Sequence, residues 1–367
     1  MSPSHNIFSN PLKMFFPKKM VGIDIGTTAI KAVELSRWGQ GKTLESYGEI
    51  KSVALYKDSF RSMEKGSFLL SEFFISRAIR AVLDEAKIKT KEVIFSVPDY
   101  STFCVSFELP PMSIKEIPQA VYYTAPQHIP LSISETTLDW KIIKGEPGNP
   151  TSPLEVFLVA MPNQIIQEYK RVAEKSRLEL YAIEAEAFSI ARSLAKELPG
   201  QLSNKKIICL VDIGSQSTTI NIVNHGNLVK SYSFDFSGGQ LTYAVSSALG
   251  LANSAAEDVK ISKGLVSEES LSKTLYMLID PLVNEVKREI IEFYQREKKD
   301  IDEVYLTGGT ANMPGLREYF AEILKKEVKI PNCFSGLLYP PILEKELKAL
   351  APSYSVAVGA ALGGLET

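Results

Sequence analysis

The sequence predicts a mixed α/β protein made of two related lobes. An internal duplication is the first observation: Ile23-Asp-Ile-Gly-Thr-Thr28 recurs as Val211-Asp-Ile-Gly-Ser-Gln216, 188 positions later in a chain of 367 residues. The second is that strand-like and helix-like patterns alternate within each half, which is typical of α/β layers. The composition, 45% hydrophobic and 23% charged, is that of a globular protein, and the formal charge of −2 favours no nucleic-acid partner.

Residues 1–19 form a predicted N-terminal tail that carries three lysines and no acid. Asn10 and Pro11 fit the cap and first position of a short helix over Leu12 to Phe16. This segment is predicted to dock on its own domain, with a membrane-surface anchor as the alternative. Its prolines interrupt any signal-peptide core, and the three cysteines lack metal-site spacing. A cytoplasmic protein with reduced, buried thiols is therefore expected.

The first lobe is predicted to cover residues 20–198. Val21 to Leu35 and Leu44 to Val53 are rich in β-formers, and apolar residues recur at helical spacing from Ser71 to Lys87. Ser113 and Glu116 have the spacing of a capping box. The other predicted elements of this half are strands Val93 to Val97, Phe103 to Leu109, Thr137 to Ile143, Leu154 to Val159 and Leu178 to Ile183, and helices Asn163 to Ser176 and Ala185 to Leu198.

The second lobe is predicted over residues 199–352, after a boundary marked by Pro199 and Gly200. It opens with a strand from Lys206 to Asp212 and contains a long helix from Leu271 to Lys298. Residues 353–367 are predicted to form a helix that returns to the first lobe. The uncharged stretch from Ala349 to Leu365 contains proline, serines and small residues, so a close-packed internal helix is expected there rather than a membrane crossing.

Each copy of the repeated motif places an aspartate at the end of a strand and a glycine with hydroxyl residues in the following turn. Backbone N–H groups in such a turn form an anion nest, and the aspartate can hold a divalent cation beside phosphate. One copy alone is also ordinary turn chemistry, but two copies facing each other favour a phosphate site. Neither copy is a Gly-x-Gly-x-x-Gly or Walker loop, which disfavours dinucleotide-binding and P-loop proteins.

Three motifs resemble those of the actin, sugar-kinase and heat-shock-chaperone ATPase superfamily, whose fold is actin-like (ribonuclease H-like). They run from Val21 to Lys31, from Leu210 to Thr219 and from Val304 to Leu316. The resemblance implies ATP and Mg²⁺ between the lobes, with Asp24 and Asp212 organising the metal and water. It implies phosphate contacts from Gly26, Thr27, Thr28, Lys31, Gly214, Ser215, Gln216 and Ser217, and adenosine contacts from Gly308, Gly309, Thr310 and Met313.

Three further matches extend this resemblance, each with a plainer alternative. Gly238 and Gly239 ahead of a helix resemble the Gly-Gly turn near the phosphates. Glu257 and Lys260 resemble the pair that binds the ribose, although their spacing is also that of an ordinary helical ion pair. Glu186 falls where the chaperone ATPases carry a water-positioning acid. Its neighbour Glu184 could fill the same role, and an exposed helix-start acid is the simpler interpretation.

Several strings in the first half narrow the resemblance to one family. They resemble the type IV pilus assembly protein PilM family, which is similar to the cell-division protein FtsA, over about residues 20–367. An FtsA-type subdomain inserted at about 97–176 is implied. The strings are Phe95-Ser-Val-Pro-Asp99, Phe107-Glu-Leu-Pro-Pro-Met112, His128-Ile-Pro-Leu131, Thr137-Leu-Asp-Trp140 and Val156-Phe-Leu-Val-Ala-Met-Pro162.

The family resemblance also implies a location and a partner. It implies a cytoplasmic protein, peripheral to the inner membrane, that holds the N-terminal cytoplasmic tail of the inner-membrane protein PilN. The tail is expected in the groove between the insertion and the first lobe, where an exposed strand edge suits an extended peptide. Other proteins of the pilus platform and further copies of this chain are additional candidate partners.

ATP is expected to act mainly as a ligand that closes the cleft, with at most slow hydrolysis. An FtsA-like filament protein and an actin-fold small-molecule kinase are the alternative functions. FtsA proteins usually end in a polar linker and an amphipathic basic helix, whereas here Leu365-Glu-Thr367 follow the Gly/Ala-rich segment directly, which favours the pilus function. No acid-bearing substrate motif supports the kinase.

Overall fold

A computed structural model describes residues 17–55, 60–62, 67–68, 70–197 and 206–366. In chain order its strands are β1 (Lys18–Ile25), β2 (Ala29–Trp38), β3 (Gly41–Lys51), β4 (Arg61–Ser62), β5 (Ser67–Phe68), β6 (Glu92–Val97), β7 (Phe103–Leu109), β8 (Thr136–Lys144), β9 (Leu154–Pro162), β10 (Glu179–Ala185), β11 (Ile207–Ile213), β12 (Thr218–Asn224), β13 (Asn227–Phe234), β14 (Glu303–Thr307) and β15 (Glu327–Lys329). Its helices are α1 (Glu72–Glu85), α2 (Ile117–Thr124), α3 (Asn163–Ser176), α4 (Glu186–Glu197), α5 (Gly238–Leu249), α6 (Asn253–Ser262), α7 (Glu269–Glu297), α8 (Leu316–Leu324) and α9 (Glu344–Glu366).

Two five-stranded sheets of identical topology form the centre of the molecule. Their strand orders are β3-β2-β1-β6-β10 and β13-β12-β11-β14-β15. In each sheet the first two pairings are antiparallel and the next two are parallel. The two hairpins match residue by residue, since Ile25 pairs with Ile30 and Ile213 with Thr218. The two related α/β lobes expected from the duplicated sequence are therefore confirmed.

Helices cover both faces of the first sheet, so its central strands are continuous apolar runs. On one face α1 and α3 bury side chains against β1 and β6. On the other face α9 packs so closely that a Cβ on Gly22 would lie 2.1 Å from the carbonyl oxygen of Ala357. The predicted close-packed helix after Ala349 is confirmed, but α9 begins earlier, at Glu344, and Pro352 lies within it.

The helix α9 also contacts α4 through a seam of small residues. A Cβ on Gly359 would stand only 1.8 Å from the carbonyl oxygen of Ser189, so no side chain fits at this position. The N–H of Gly308, at the end of β14 in the second lobe, donates to the carbonyl of Pro352 in α9 at 2.9 Å. Thus α9 links the centre of the first lobe to the second.

The second lobe is built around the long helix α7. Leu275, Ile279, Leu282 and Val286 recur at helical spacing and are buried in its core, which confirms the amphipathic pattern of the sequence. The helix starts at Glu269 and continues through Pro281.

A three-stranded sheet, β7-β9-β8, and α2 lie between Phe103 and Pro162 and form the inserted unit. The predicted insertion extends to residue 176, but α3 packs on α1 and β10 and its buried side chains join the core of the first lobe. The capping box is half formed. Glu116 accepts hydrogen bonds from the N–H and hydroxyl of Ser113, yet α2 starts only at Ile117.

The cysteines differ in exposure. Cys209 and Cys333 are buried as expected, whereas Cys104 is only half-buried. The predicted helix from Leu12 to Phe16 and the boundary at Pro199 and Gly200 lie outside the described residues. Of the helices in the described part of the chain, none combines the length and apolar character that a membrane crossing requires.

Candidate functional site

The turns of the two duplicated hairpins face each other. Gly26 N–H donates to Ala29 O at 3.0 Å, and Gly214 N–H donates to Ser217 O at the same distance. Across the gap, the Thr27 hydroxyl reaches the side-chain oxygen of Gln216 at 3.4 Å. The segment after β3 supports the first turn, because the N–H of Ser52 donates to Thr28 O. The two predicted phosphate turns are thus brought together.

A cleft of about 140 Å³ lies between these turns. Pro98, Tyr100, Pro352, Ser353 and Val356, which the motif comparison did not single out, also line it. The predicted site residues that line the cleft are Asp24, Gly26, Thr27, Thr28, Lys31, Glu186, Asp212, Gly214, Ser215, Gln216, Ser217, Gly308 and Gly309.

Asp24 and Asp212 end the central strands of the two sheets and enter the cleft from opposite lobes. Asp24 is 7% exposed. Burial raises the pKa of Asp212 to about 6; a hydrogen bond from Thr307 lowers it, the charge of Asp24 raises it and that of Lys31 lowers it. The Thr307 hydroxyl donates to Asp212 Oδ1 at 2.9 Å. A nearby cation would stabilise the charged form of both the buried Asp24 and the half-buried Asp212.

Within the described ranges, no three His, Cys, Asp or Glu side chains meet to form a metal site. Asp24, Asp212 and Glu186 are the acidic side chains that line the cleft among the described residues, and the two aspartates lie at the duplicated turns. Mg²⁺ commonly takes one or two carboxylates and completes its shell with water and substrate phosphates. The donor set fits a metal that arrives with a nucleotide.

Gly238 and Gly239 lie at the start of α5, directly against the second phosphate turn. Gly238 N–H donates to Gly214 O at 2.9 Å, and Gly239 N–H donates to Ser215 O at 3.2 Å. A Cβ on Gly238 would stand 2.1 Å from Thr310 Oγ1, so the close approach requires glycine. Ser237 caps the helix through a complete capping box with Gln240. The N-terminus of α5 is thereby fixed beside the turn, where it favours an anion.

Glu257 and Lys260 form the ion pair that their spacing allows, with Lys260 Nζ 2.7 Å from Glu257 Oε2. Lys260 is 3% exposed and also donates to the Gly238 carbonyl at 3.1 Å and to Thr242 Oγ1 at 3.0 Å. The pair therefore secures the start of α5. A contact with ribose remains a prediction for both residues.

The four residues of the adenosine motif have different surroundings. Gly308 has a φ of +87°, and a Cβ there would meet the backbone of Ile213 at 2.5 Å. A Cβ on Gly309 would enter open space, so this backbone is accessible. Thr310 is buried beside Gly238, and Met313 is 4% exposed within the core of the second lobe. Gly308 and Gly309 therefore border the cleft. Thr310 and Met313 are buried beneath them and do not line it.

The structure separates the two glutamates near the start of α4. Glu186 lines the cleft. Glu184, the last but one residue of β10, instead forms a two-pronged ion pair with Arg192, at 2.6 and 2.9 Å. Of the two candidates for positioning a water, the geometry favours Glu186.

A chain of hydrogen bonds runs from Glu184 towards the cleft between the two lobes. Ser189 Oγ donates to Glu184 Oε1 at 2.5 Å and lies 3.0 Å from Ser96 Oγ. Both serines are fully buried. Ser96 on β6 is the register partner of Asp24 on β1. We name Arg192, Glu184, Ser189 and Ser96 the serine relay; it connects the surroundings of Arg192 with the strand that carries Asp24.

Arg192 and Glu184 border a groove of about 570 Å³ between the inserted sheet and the first lobe. Two sheet edges meet there, because β8 pairs only with β9 and β10 only with β6 among the described strands. Apolar side chains dominate its wall, and Lys170 adds a cation. The apolar residues that line it include Val159, Met161, Ile166, Leu180, Ile183 and Phe188.

The family model described as type IV pilus assembly protein PilM matches residues 22–365. The chain belongs to the PilM family. A solved structure of a PilM-PilN type IV pilus biogenesis complex superposes with a TM-score of 0.81 at 20% identity, covering 95% of this chain and 99% of that one. The family resemblance seen in the sequence is thus confirmed, and this PilM-family chain is a type IV pilus assembly protein by family.

Other proteins resemble this chain in sequence or in fold. FtsA of Enterococcus faecalis is 24% identical over 85% of this chain and 78% of its own length, and FtsA of Escherichia coli K12 is 23% identical over 93% and 89%. MreB5 of Spiroplasma citri bound to ADP superposes with a TM-score of 0.52 at 16% identity, covering 90% of this chain and 97% of that one. The predicted actin-like two-lobe fold is confirmed.

Proposed function

We propose that this PilM-family chain is a cytoplasmic protein of the pilus assembly platform that binds Mg-ATP in its cleft and the N-terminal tail of PilN in its groove. Nucleotide binding and peptide binding are coupled in this proposal, and the tail holds the protein at the inner membrane. The observation that carries it is the juxtaposition of two duplicated turns, one with the buried Asp24 and the other with the half-buried Asp212, in a chain of the PilM family.

The cleft residues fit a nucleotide with Mg²⁺. The N–H groups of Gly26 and Gly214 close the turns themselves, and the turn residues that follow each glycine carry the backbone N–H groups that can bind phosphates. The positive end of the α5 dipole lies beside the second turn. Asp24 and Asp212 supply carboxylates, and the open space beside Gly309 leaves backbone accessible to a flat base. When bound, Mg²⁺ would neutralise the charge that burial makes unfavourable on Asp212.

The residues of this chain support binding more strongly than rapid hydrolysis. Glu186 lines the cleft and can orient a water, but it is the one acid there besides the two metal-binding aspartates among the described residues. The two phosphate turns come from different lobes, so a ligand that bridges them favours the closed arrangement. ATP is therefore proposed as a ligand that stabilises one lobe arrangement, with slow turnover.

Calorimetric titration of the full chain with Mg-ATP tests nucleotide binding. We expect Asp212→Ala to weaken Mg-dependent binding by at least about tenfold, because it removes one of two carboxylates. Asp84→Ala, at an exposed position of α1, is the matched control and should bind as the unaltered chain does. Equal affinity with and without Mg²⁺, or no heat for the unaltered chain, would contradict the nucleotide proposal.

The groove suits an extended peptide. The edges of β8 and β10 can supply main-chain hydrogen bonds, and the apolar wall can take alternate side chains. A PilN tail is the proposed occupant because the structure that superposes at a TM-score of 0.81 is of a PilM-PilN complex.

Fluorescence anisotropy of a labelled synthetic PilN tail from the same organism tests the groove. Ile166→Glu places a charge on its apolar wall and should weaken binding at least about tenfold. Ile261→Glu, on α6 of the second lobe where the isoleucine is 47% exposed, is the control and should not change the affinity. Unchanged binding by Ile166→Glu would place the tail elsewhere.

A further inference from the structure

A second cavity of about 650 Å³ adjoins the groove between the insertion and the first lobe. Both share Asp139, Val159, Phe188 and Arg192 in their walls. We call the groove the first chamber and this cavity the second chamber. Thr137, Asp139 and Lys141 alternate along β8 opposite Met161, Val159 and Phe157 of β9, so the two chambers lie end to end along one face of the inserted sheet; together we call them the channel.

The second chamber differs from the first in what closes it. Its far wall belongs to the second lobe and contains Val223 at the end of β12 and Leu228 in β13. With Phe157 from the insertion, these residues belong to one apolar cluster in which the insertion, the first lobe and the second lobe meet. The channel therefore begins at the edge of the first sheet and ends against the second lobe.

A polar bridge spans the second chamber. Lys141 Nζ, from β8 of the insertion, donates to Asn227 Oδ1 of the second lobe at 2.7 Å. Lys141, Asp139 and Arg192 provide charged groups around an apolar interior. Such a cavity accepts an apolar side chain whose backbone remains near polar groups.

We propose that the extended peptide bound in the first chamber continues into the second, where an apolar side chain of the same peptide packs against the second lobe. This inference rests on the proposed PilN-tail function and deepens it. The shared sheet face supports a single occupant, and the half-buried apolar side chains of Ile143, Val159, Phe188 and Ala191 in the second chamber favour an apolar side chain. A tail placed in this way contacts the insertion, α4 and the second lobe together, so its affinity depends on how the lobes are arranged.

The probe is a synthetic PilN tail from the same organism, used at full length and in a series shortened from each end. Anisotropy of a dye on the tail measures binding.

We expect a shortened tail that lacks the apolar side chain for the second chamber to bind more weakly than the full-length tail but still measurably. Ala191→Phe, which fills the second chamber from half-buried Ala191 on α4, should weaken the full-length tail at least about tenfold and leave that shortened tail unaffected. Ala252→Phe, at an exposed position before α6, is the control.

The outcomes separate this inference from the proposed function. Tight binding of the full-length tail with full affinity in Ala191→Phe would overturn the second-chamber site and leave the PilN proposal standing. Absence of anisotropic binding by the unaltered chain would overturn both.

Discussion

The buried side chain of Asp99 interacts with both the first and the second lobe. Its Oδ1 atom accepts a hydrogen bond at 3.1 Å from the N–H of Ala187, in the first turn of α4. Burial raises its pKa to about 7; the Ala187 N–H lowers it, the charge of Asp212 raises it, and the amide of Asn221 on β12 lowers it. This residue therefore fixes the helix start that carries Glu186 and lies close to the second lobe.

The raised pKa of Asp99 predicts a pH dependence of stability. A carboxyl with a native pKa above its unfolded value of 3.8 stabilises the fold while protonated, and that contribution is lost as the pH rises from about 4 to 7. Asp99→Asn retains an acceptor for Ala187 and has no charge. We expect it to match the unaltered chain at pH 4 and to be more stable at pH 8, by about 1.4 kcal/mol per unit of raised pKa.

Urea unfolding of the nucleotide-free chain at a series of pH values measures this difference. Asp84→Asn, at an exposed position of α1, is the control and should show no such trend. A constant difference between Asp99→Asn and the unaltered chain from pH 4 to 8 would contradict the prediction.

Among individual residues, the sequence predicts those that belong to the repeated motif. Asp24, Gly26, Asp212 and Gly214 follow from the duplicated strand and turn. The hydroxyl of Thr307 could not be assigned in the same way, because its contact with Asp212 depends on the parallel register between β11 and β14. Asp99 lies in a string that identified the family, yet its role depends on α4, which is distant in sequence.

Among the elements, α9 packs against its neighbours so closely that several of its positions have little or no room for a side chain. A Cβ on Gly359 would meet the backbone of Ser189, whereas a Cβ on Gly363, one turn later, would meet the guanidinium of Arg192 at 2.7 Å. Backbone is fixed, but the end of an arginine side chain can move. The two glycines therefore form a matched pair within one helix.

We expect Gly359→Ala to lower the free energy of unfolding by about 3 kcal/mol, since α4 and α9 must separate to admit the methyl group. Gly363→Ala should change it by less than about 1 kcal/mol, because alanine's helix propensity offsets the displacement of Arg192. Urea denaturation of both variants measures the difference. Equal free energies of unfolding for the two variants would show that α4 and α9 can separate at little cost, which contradicts the prediction.

Element types were more predictable than their packing. Alternating and continuous apolar patterns located the strands and the long helices to within a few residues. They could not show that α3 belongs to the first lobe rather than to the insertion, since its apolar stripe fits either surface. That choice is made by α1 and β10, against which Tyr169 and Val172 are buried.

Across the whole molecule, the serine relay lies between the two proposed binding sites. If they are coupled, Mg-ATP must change the affinity for the PilN tail by the same factor by which the tail changes the affinity for Mg-ATP. We expect Ser189→Ala to bring that factor closer to one, because it removes the link between Glu184 and Ser96. Both titrations, by calorimetry and by anisotropy, provide the factor independently.

Ser76→Ala is the control for the relay. Ser76 is equally buried but donates to Phe73 O within α1, away from the relay. The control should leave the factor unchanged. A factor that survives in Ser189→Ala would place the coupling outside the relay.

The seam between α4 and α9 joins two helices of the first lobe. Because the Ser189 carbonyl occupies the place of a side chain on Gly359, the helices lack the clearance needed to slide past each other. The N–H of Gly308 in the second lobe donates to the carbonyl of Pro352 in α9. A displacement of the second lobe at this point would therefore carry α9 and α4 together, and with them both Glu186 at the cleft and Arg192 at the groove.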